Sequence, residues 1–145
     1  MNQPVVTTVV VRGKYKNLSV IGAHVRSFLK ENEITDVNTS TGNVSICFDI
    51  ELAVHEICNN IIEHAYGHQG AQIRLRFSYD AQKKCIVIDL YDSGKQFDSS
   101  SVVQPDLDEP REEGYGLFLV NQLMDEVIYR PLTDGNHWKV IKYIT

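Results

Sequence analysis

Two β-strand patterns joined by a short turn, at residues 72–91, most restrict the folds available to this chain. Apolar and polar residues alternate from Gln72 to Tyr79, which predicts a strand with one face exposed to water. A polar turn at 80–84 separates it from a more apolar strand pattern at 85–91. The two patterns therefore predict a hairpin within a larger sheet.

The remaining periodic segments complete a single predicted domain over residues 1–145. Strands outnumber helices and pair in hairpins, so we expect an α/β two-layer sandwich, a mixed, mostly antiparallel sheet covered on one face by helices. Hydrophobic content of 43% is ordinary for a globular chain of this length. The predicted order is βααββαββ, with a strand at 5–12, helices at 18–30, from 44–50 to 66 and at 115–125, and a last hairpin of strands at 127–131 and 137–144.

Composition argues against several classes of protein. The formal net charge is −5 and there is no basic block, which disfavours a dedicated nucleic-acid binder. No apolar run approaches the roughly 20 residues of a membrane span and no signal peptide is evident, so the expected location is the cytoplasm. Cys47, Cys58 and Cys85 form no CxxC motif and are expected to be buried, reduced thiols rather than zinc ligands.

Glu56 and Asn60 lie one turn apart on the second predicted helix, so their side chains project together. Apolar residues flank the pair on several sides, which weighs against an ordinary solvated polar stripe. A carboxylate here can accept a proton from an attacking hydroxyl, and an amide oxygen can ligate Mg²⁺. His64 lies one further turn along the helix and would border the same pocket.

Two turns that contain glycine follow in the sequence. Residues 92–94 (Asp-Ser-Gly) end a strand, where the aspartate can accept a hydrogen bond from a purine amine. Residues 114–116 (Gly-Tyr-Gly) open a helix, whose free N–H groups favour phosphate. Each segment taken alone is also compatible with an ordinary turn. The stretch between them, 95–113, has no periodicity and is predicted to be a functional lid.

In these segments the chain resembles the GHKL superfamily of histidine-kinase-like ATPases. It is most similar to the anti-sigma factor serine/threonine kinases of bacterial partner-switching systems. Residues 51–66 resemble the N box of the family, 92–98 its G1 box and 111–120 its G2 box. The matching positions of the tail are 124–127, Tyr129, Gly135, Asn136 and Lys142. The resemblance implies a Bergerat-type ATP-binding fold that binds ATP or ADP with Mg²⁺, with 95–113 as the ATP lid.

The resemblance also implies roles for individual residues. Glu56 is the implied general base and Asn60 the implied Mg²⁺ ligand. Asp92 would read adenine, while the glycines of 114–116 would contact phosphates. The residues expected to contact the nucleotide are Asn60, His64, Asp92, Gly94, Phe97, Gly114, Tyr115, Gly116 and Leu117.

The chain departs from the family pattern at two positions. Glu113 stands where many relatives have a further glycine, which would change the lid hinge. His137 lies at about the place where relatives often carry a threonine beside the adenine.

The implied partners are a small anti-anti-sigma (STAS) protein, phosphorylated on a serine or threonine, and a sigma factor that the chain sequesters. A homodimer is a further expectation, whereas a membrane and direct contact with nucleic acid are not expected. Two alternatives stay open: a module that binds nucleotide without phosphorylating anything, and a switch kinase whose target is a phosphatase or a secretion regulator. Arg26, off the apolar stripe of the first helix, is either a partner contact or a solvated charge.

Overall fold

The computed structural model describes residues 5–35, 45–64, 72–94 and 116–144 of the chain. Within them the elements follow the predicted order βααββαββ, and a short 3₁₀ helix at Tyr15–Asn17 precedes the first α-helix. The bounds are β1 Val5–Arg12, α1 Leu18–Glu31, α2 Ile46–His64, β2 Gln72–Asp80, β3 Cys85–Asp92, α3 Gly116–Leu123, β4 Glu126–Leu132 and β5 Gly135–Tyr143.

The five described strands form one sheet in the order β1-β2-β3-β5-β4, and every neighbouring pair is antiparallel. Both predicted hairpins, β2–β3 and β4–β5, are therefore confirmed. The last hairpin folds back so that β5 lies beside β3 and β4 lies at the sheet edge. Asp92 at the end of β3 pairs with Asn136 near the start of β5. This pairing brings the two residues side by side at one end of the sheet.

The described helices cover one face of the sheet. α1 presents the predicted stripe of Ile21, Val25 and Phe28, and the ring of Phe28 stacks on Phe77 of β2 with centroids 5.5 Å apart. α2 adds side chains such as Ile57, which is completely buried. Because strand side chains alternate between faces, the same layer receives every second residue of β2, β3 and β5, among them Phe77, Ile88 and Val140. The predicted α/β sandwich is confirmed.

The last three elements differ slightly from their predicted bounds. β4 begins at Glu126 and β5 at Gly135, and α3 ends at Leu123. Pro131 lies inside β4 although it has no N–H group. It is tolerated there because β4 is an edge strand, on which every second N–H group faces away from the neighbouring strand.

The expectation of three buried, reduced thiols is met only in part. Cys58 and Cys85 are buried, but Cys47 is only half-buried, and none of the three forms a disulfide.

The predicted lid at 95–113 lies outside the described residues. In the part of the chain that the structure describes, no helix is both long and apolar enough to cross a membrane.

Candidate functional site

Asp92 closes β3 and is the centre of a buried polar cluster. It is 6% exposed, and Asn136 of β5 lies opposite it in the sheet. Its Oδ1 atom accepts two hydrogen bonds, one from the backbone N–H of Gly94 at 2.8 Å and one from Nδ2 of Asn136 at 2.9 Å. The protein itself therefore fixes one oxygen of this carboxylate.

The second oxygen of Asp92, Oδ2, is buried without a hydrogen-bond partner, which is true of no other side-chain nitrogen or oxygen among the described residues. Burial raises the pKa of Asp92, and the hydrogen bonds from Asn136 and Gly94 offset part of that rise. A buried acceptor left unsatisfied costs about 1–3 kcal/mol, and more when it is charged. A ligand that donates one hydrogen bond to Oδ2 would remove this cost.

Asn136 is a member of the cluster that sequence reasoning missed as a site residue. It is 2% exposed, and its Oδ1 atom accepts a 2.5 Å hydrogen bond from the hydroxyl of Tyr129 on β4. Because the amide oxygen faces Tyr129, the amide nitrogen faces Asp92. The alternation of side chains along β5 could have identified it. Trp138 and Val140 lie on the buried face, and residue 136 lies an even number of positions from both, so its side chain faces the same way.

Gly135 allows β5 to begin directly against the end of β3. A Cβ atom at this position would lie 1.9 Å from the carbonyl oxygen of Asp92 and 2.8 Å from the Cα atom of Ser93. No side chain fits in that space. The glycine is therefore required by close backbone approach, in addition to the tight turn that the sequence indicates.

His137, which stands at about the place where relatives often carry a threonine, lies on the sheet face opposite the described helices. Successive strand residues point to opposite faces, so His137 leaves the helix-covered face that Asn136 occupies. The Nε2 atom of His137 lies 2.7 Å from Oδ1 of Asp89, and its ring stacks on Tyr91 with centroids 4.3 Å apart. Asn136, one residue earlier, takes the position next to Asp92.

Glu56 lies where α2 meets the first turn of α3. A Cβ atom on Gly116 would lie 2.8 Å from Oε2 of Glu56, so the carboxylate rests against the backbone that opens α3. Glu56 and Asn60 are both half-buried, which leaves each side chain accessible to a ligand. The structure thus brings the predicted base next to one of the predicted phosphate-binding glycines.

Cys58 of α2 is a buried thiol whose pKa depends in part on Asp92. This thiol is completely buried, and its pKa is raised to about 12, first by burial and then by the negative charge of Asp92. The thiol therefore stays protonated at neutral pH and packs as an apolar group. The negative charge of Asp92 therefore acts on the middle of α2.

Other predicted site residues are placed only in part. Leu117 is 8% exposed and packs in the hydrophobic core, so its contact with a nucleotide stays a prediction. His64 ends α2, but its side chain is outside the description. The predicted contacts that lie wholly outside the described residues are Phe97, Gly114 and Tyr115.

Arg26 reaches solvent, as its place off the apolar stripe predicts. Its side chain is 59% exposed and forms an ion pair with Glu51 of α2. The pair borders an open groove of about 280 Å³ between α1 and α2. A Cβ atom on Gly22 would lie 2.8 Å from Oε1 of Glu51, so the Glu51 carboxylate rests against the backbone of α1.

Comparison with known proteins gives the family of the chain. The family model of the histidine kinase-like ATPase domain matches residues 13–142. A curated serine-protein kinase RsbW from Bacillus cereus (strain G9842) is 36% identical over 87 residues, which are 54% of this chain and 53% of that protein. Its namesake from Halalkalibacterium halodurans is 35% identical over 88 residues, 54% of this chain and 52% of that protein. The chain spans about half the length of the curated relatives it matches.

Two solved structures share the fold. The RsbU and RsbW domains of Rv1364c from Mycobacterium tuberculosis match with a TM-score of 0.63 and 16% identity, over 98% of this chain and 32% of that chain. The histidine kinase domain of the Erythrobacter litoralis EL346 blue-light activated histidine kinase matches with a TM-score of 0.53 and 17% identity, over 88% and 59%. At such identities the likeness concerns the fold alone. The family model covers most of the sequence, and the chain therefore belongs to the histidine kinase-like ATPase family.

Proposed function

We propose that this chain binds ATP or ADP through the cluster at the end of β3. The observation that carries the proposal is the buried, unpartnered Oδ2 atom of Asp92, beside an Oδ1 atom that Gly94 and Asn136 already hold. The exocyclic amine of adenine is a donor and fits this acceptor, whereas O6 of guanine is an acceptor and would face the carboxylate unfavourably. The site therefore favours adenine nucleotides.

Tyr129 and Asn136 support this selectivity by holding Asp92 in place. The Tyr129 hydroxyl orients the amide of Asn136, and the amide nitrogen in turn donates to Asp92. A hydrogen bond to the ionised carboxylate favours the charged form, which is the form that accepts from adenine. Tyr129 and Asn136 are positioning residues in this account.

The proposed reaction transfers the terminal phosphate of ATP to a protein hydroxyl. Glu56 is the proposed general base, which accepts the hydroxyl proton as the hydroxyl attacks. The closeness of Glu56 to Gly116 supports the role, because the start of α3 offers N–H groups and a positive dipole end to phosphate. Asn60 is the proposed protein ligand of Mg²⁺, an ion that keeps phosphate oxygens and waters as its other ligands.

The proposed acceptor is a serine or threonine of a STAS protein, and the proposed second activity is sequestration of a sigma factor. The three ordered boxes support this choice, as does the name serine-protein kinase of relatives of which the chain spans about half. The groove between α1 and α2 is the proposed partner surface, with Arg26 at its border. Exposed arginines of this kind are enriched among residues that dominate interface energy.

The test is an incubation of the purified chain with radiolabelled ATP, Mg²⁺ and each small STAS protein of its native genome. Label on one STAS protein, mapped to a serine or threonine, is the expected result. ATP binding without any transfer would instead support the module that only binds nucleotide. Label on a phosphatase or secretion regulator recovered from native extract would support the other switch kinase. Absence of nucleotide binding contradicts the whole proposal.

A further inference from the structure

The sheet face opposite the described helices carries two adjacent rows of charged side chains. Strand register aligns Arg76, Asp89 and Lys139 in one row. It aligns Arg74, Tyr91, His137 and Arg130 in the next. We call these seven residues the basic face. Four cations against one carboxylate give it a net charge of +3, whereas the whole chain has −5.

Asp89 is the centre of the basic face. It is only 2% exposed although the described helices all pack on the other side of the sheet. Its own neighbours bury it: Nε2 of His137 lies 2.7 Å from Oδ1, Nη1 of Arg76 lies 3.9 Å from Oδ2, and Nζ of Lys139 lies 3.9 Å from Oδ1. A buried carboxylate held on three sides fixes the side chains around it.

The aromatic part of the basic face is ordered in the same way. Tyr91 and His137 stack with an interplanar angle of 8°, and the guanidinium of Arg74 lies 4.5 Å above the Tyr91 ring. Cation–π contact of this kind restrains the arginine without neutralising its charge. Tyrosine and arginine are the residue types enriched where interfaces gain most of their energy. The face therefore presents a preorganised aromatic centre with a cationic border.

The cations of the basic face retain charge for a partner. The side chains of Arg76 and Lys139 are 49% and 33% exposed, and both pair with Asp89 at 3.9 Å rather than at direct hydrogen-bond distance. Charge-assisted hydrogen bonds at about 2.7–2.9 Å are stronger, so a second carboxylate can gain closer contacts here. One buried aspartate cannot balance four cations.

We propose that the basic face is a docking surface for an acidic segment of another protein. Arg74 and Arg76 are two residues apart on β2, so their spacing is about 7 Å, which matches alternate residues of an extended chain. The segment would therefore carry carboxylates at alternate positions. A second copy of this chain would bring the same four cations against the first, and nucleic acid would meet a chain of net charge −5. This surface is separate from the proposed nucleotide site.

The test measures fluorescence anisotropy of a labelled (Ser-Glu)₈ peptide titrated with the full chain at low ionic strength. Arg74→Glu/Arg76→Glu is expected to weaken binding at least tenfold. The matched control is Lys14→Glu/Lys16→Glu, which makes the same change of charge at exposed positions between β1 and α1. The control is expected to stay within about twofold of the wild type. Arg76→Glu alone serves if the double variant does not fold.

Three results would overturn the proposal. Equal weakening by the two double variants would mean that net charge alone attracts the peptide. Sedimentation velocity in which Arg74→Glu/Arg76→Glu converts a wild-type dimer into monomers would assign the face to a second copy. Binding of a single-stranded oligonucleotide that is tighter than peptide binding, and lost in the same variant, would assign the face to nucleic acid.

Discussion

Asp92→Asn tests the proposed adenine contact by exchanging an acceptor for a donor with little change in shape. Gly94 and Asn136 both donate to Oδ1, so they will hold the amide oxygen of the variant at that position. The new NH₂ group then takes the place of Oδ2, where it faces the adenine amine. Two donors then oppose each other.

The expected loss of ADP affinity is about 10- to 150-fold. A hydrogen bond to a charged group contributes about 1.5–3 kcal/mol, and about 1.4 kcal/mol corresponds to a tenfold change in dissociation constant. GDP gains a donor facing O6, so the ratio of ADP to GDP affinity falls further. Burial raises the pKa of Asp92, and a neutral amide avoids the cost of burying a charge. The ligand-free variant should therefore unfold at a temperature no lower than the wild type.

The assay is calorimetric titration of wild type and variant with ADP and with GDP. Asp89→Asn is the matched control: Asp89 lies on the same strand and is equally buried, but it faces the other side of the sheet and bonds His137. Its ADP affinity should stay within about twofold of the wild type. Equal ADP affinity in wild type and Asp92→Asn, with both proteins folded, would refute the reasoning.

Three further predictions concern the same site. Asn60→Ala should weaken the binding of Mg-ATP but leave metal-free ADP binding unchanged, as measured by calorimetry. Gly116→Ala should lower phosphoryl transfer in the radiolabel assay, because the added Cβ would lie 2.8 Å from Oε2 of Glu56 and displace it. ADP affinity should fall as pH drops through the pKa of Asp92, which burial raises above its usual 3.8. Because this pKa is raised, the carboxyl favours folding when protonated, so its contribution to stability declines as pH rises through that value, while ADP affinity increases.

A specific result would contradict each of these three predictions. Equal Mg-ATP affinity with and without Asn60 would remove its role as metal ligand. An unchanged rate of phosphoryl transfer in Gly116→Ala would mean that the reaction does not depend on the position of the Glu56 carboxylate. The ADP affinity of Asp92→Asn should not change with pH. If the ADP affinity of the wild type is equally independent of pH, ionised Asp92 is excluded as the adenine acceptor.

The order of elements could be predicted because each element has its own periodicity. Alternation in β2 and the helical stripe of Ile21, Val25 and Phe28 are local signals that the folded chain keeps. Glu56 and Asn60 were found for a related reason, since helical spacing alone places them together. The local sequence pattern was sufficient to predict contacts between residues of the same helix or the same hairpin.

The missed parts of the site depend on contacts between strands that are distant in sequence. Asn136 meets Asp92 only because β5 inserts between β3 and β4, and hairpin patterns do not give that order. The start of β5, expected at 137, lies two residues earlier at Gly135, so Asn136 fell outside the predicted strand. The buried position of Asp89 was likewise hidden, because the side chains that cover it come from β2 and β5.

Single-turnover phosphoryl transfer with Glu56→Gln tests the central claim most directly. The glutamine keeps the size of the side chain against Gly116 but cannot accept the hydroxyl proton. Transfer of label from ATP to the acceptor STAS protein should fall by roughly 10²–10⁴-fold, whereas ADP affinity should be unchanged, because a base acts in the transition state. Transfer at the wild-type rate would contradict the account and leave Glu56 as a structural residue of α2.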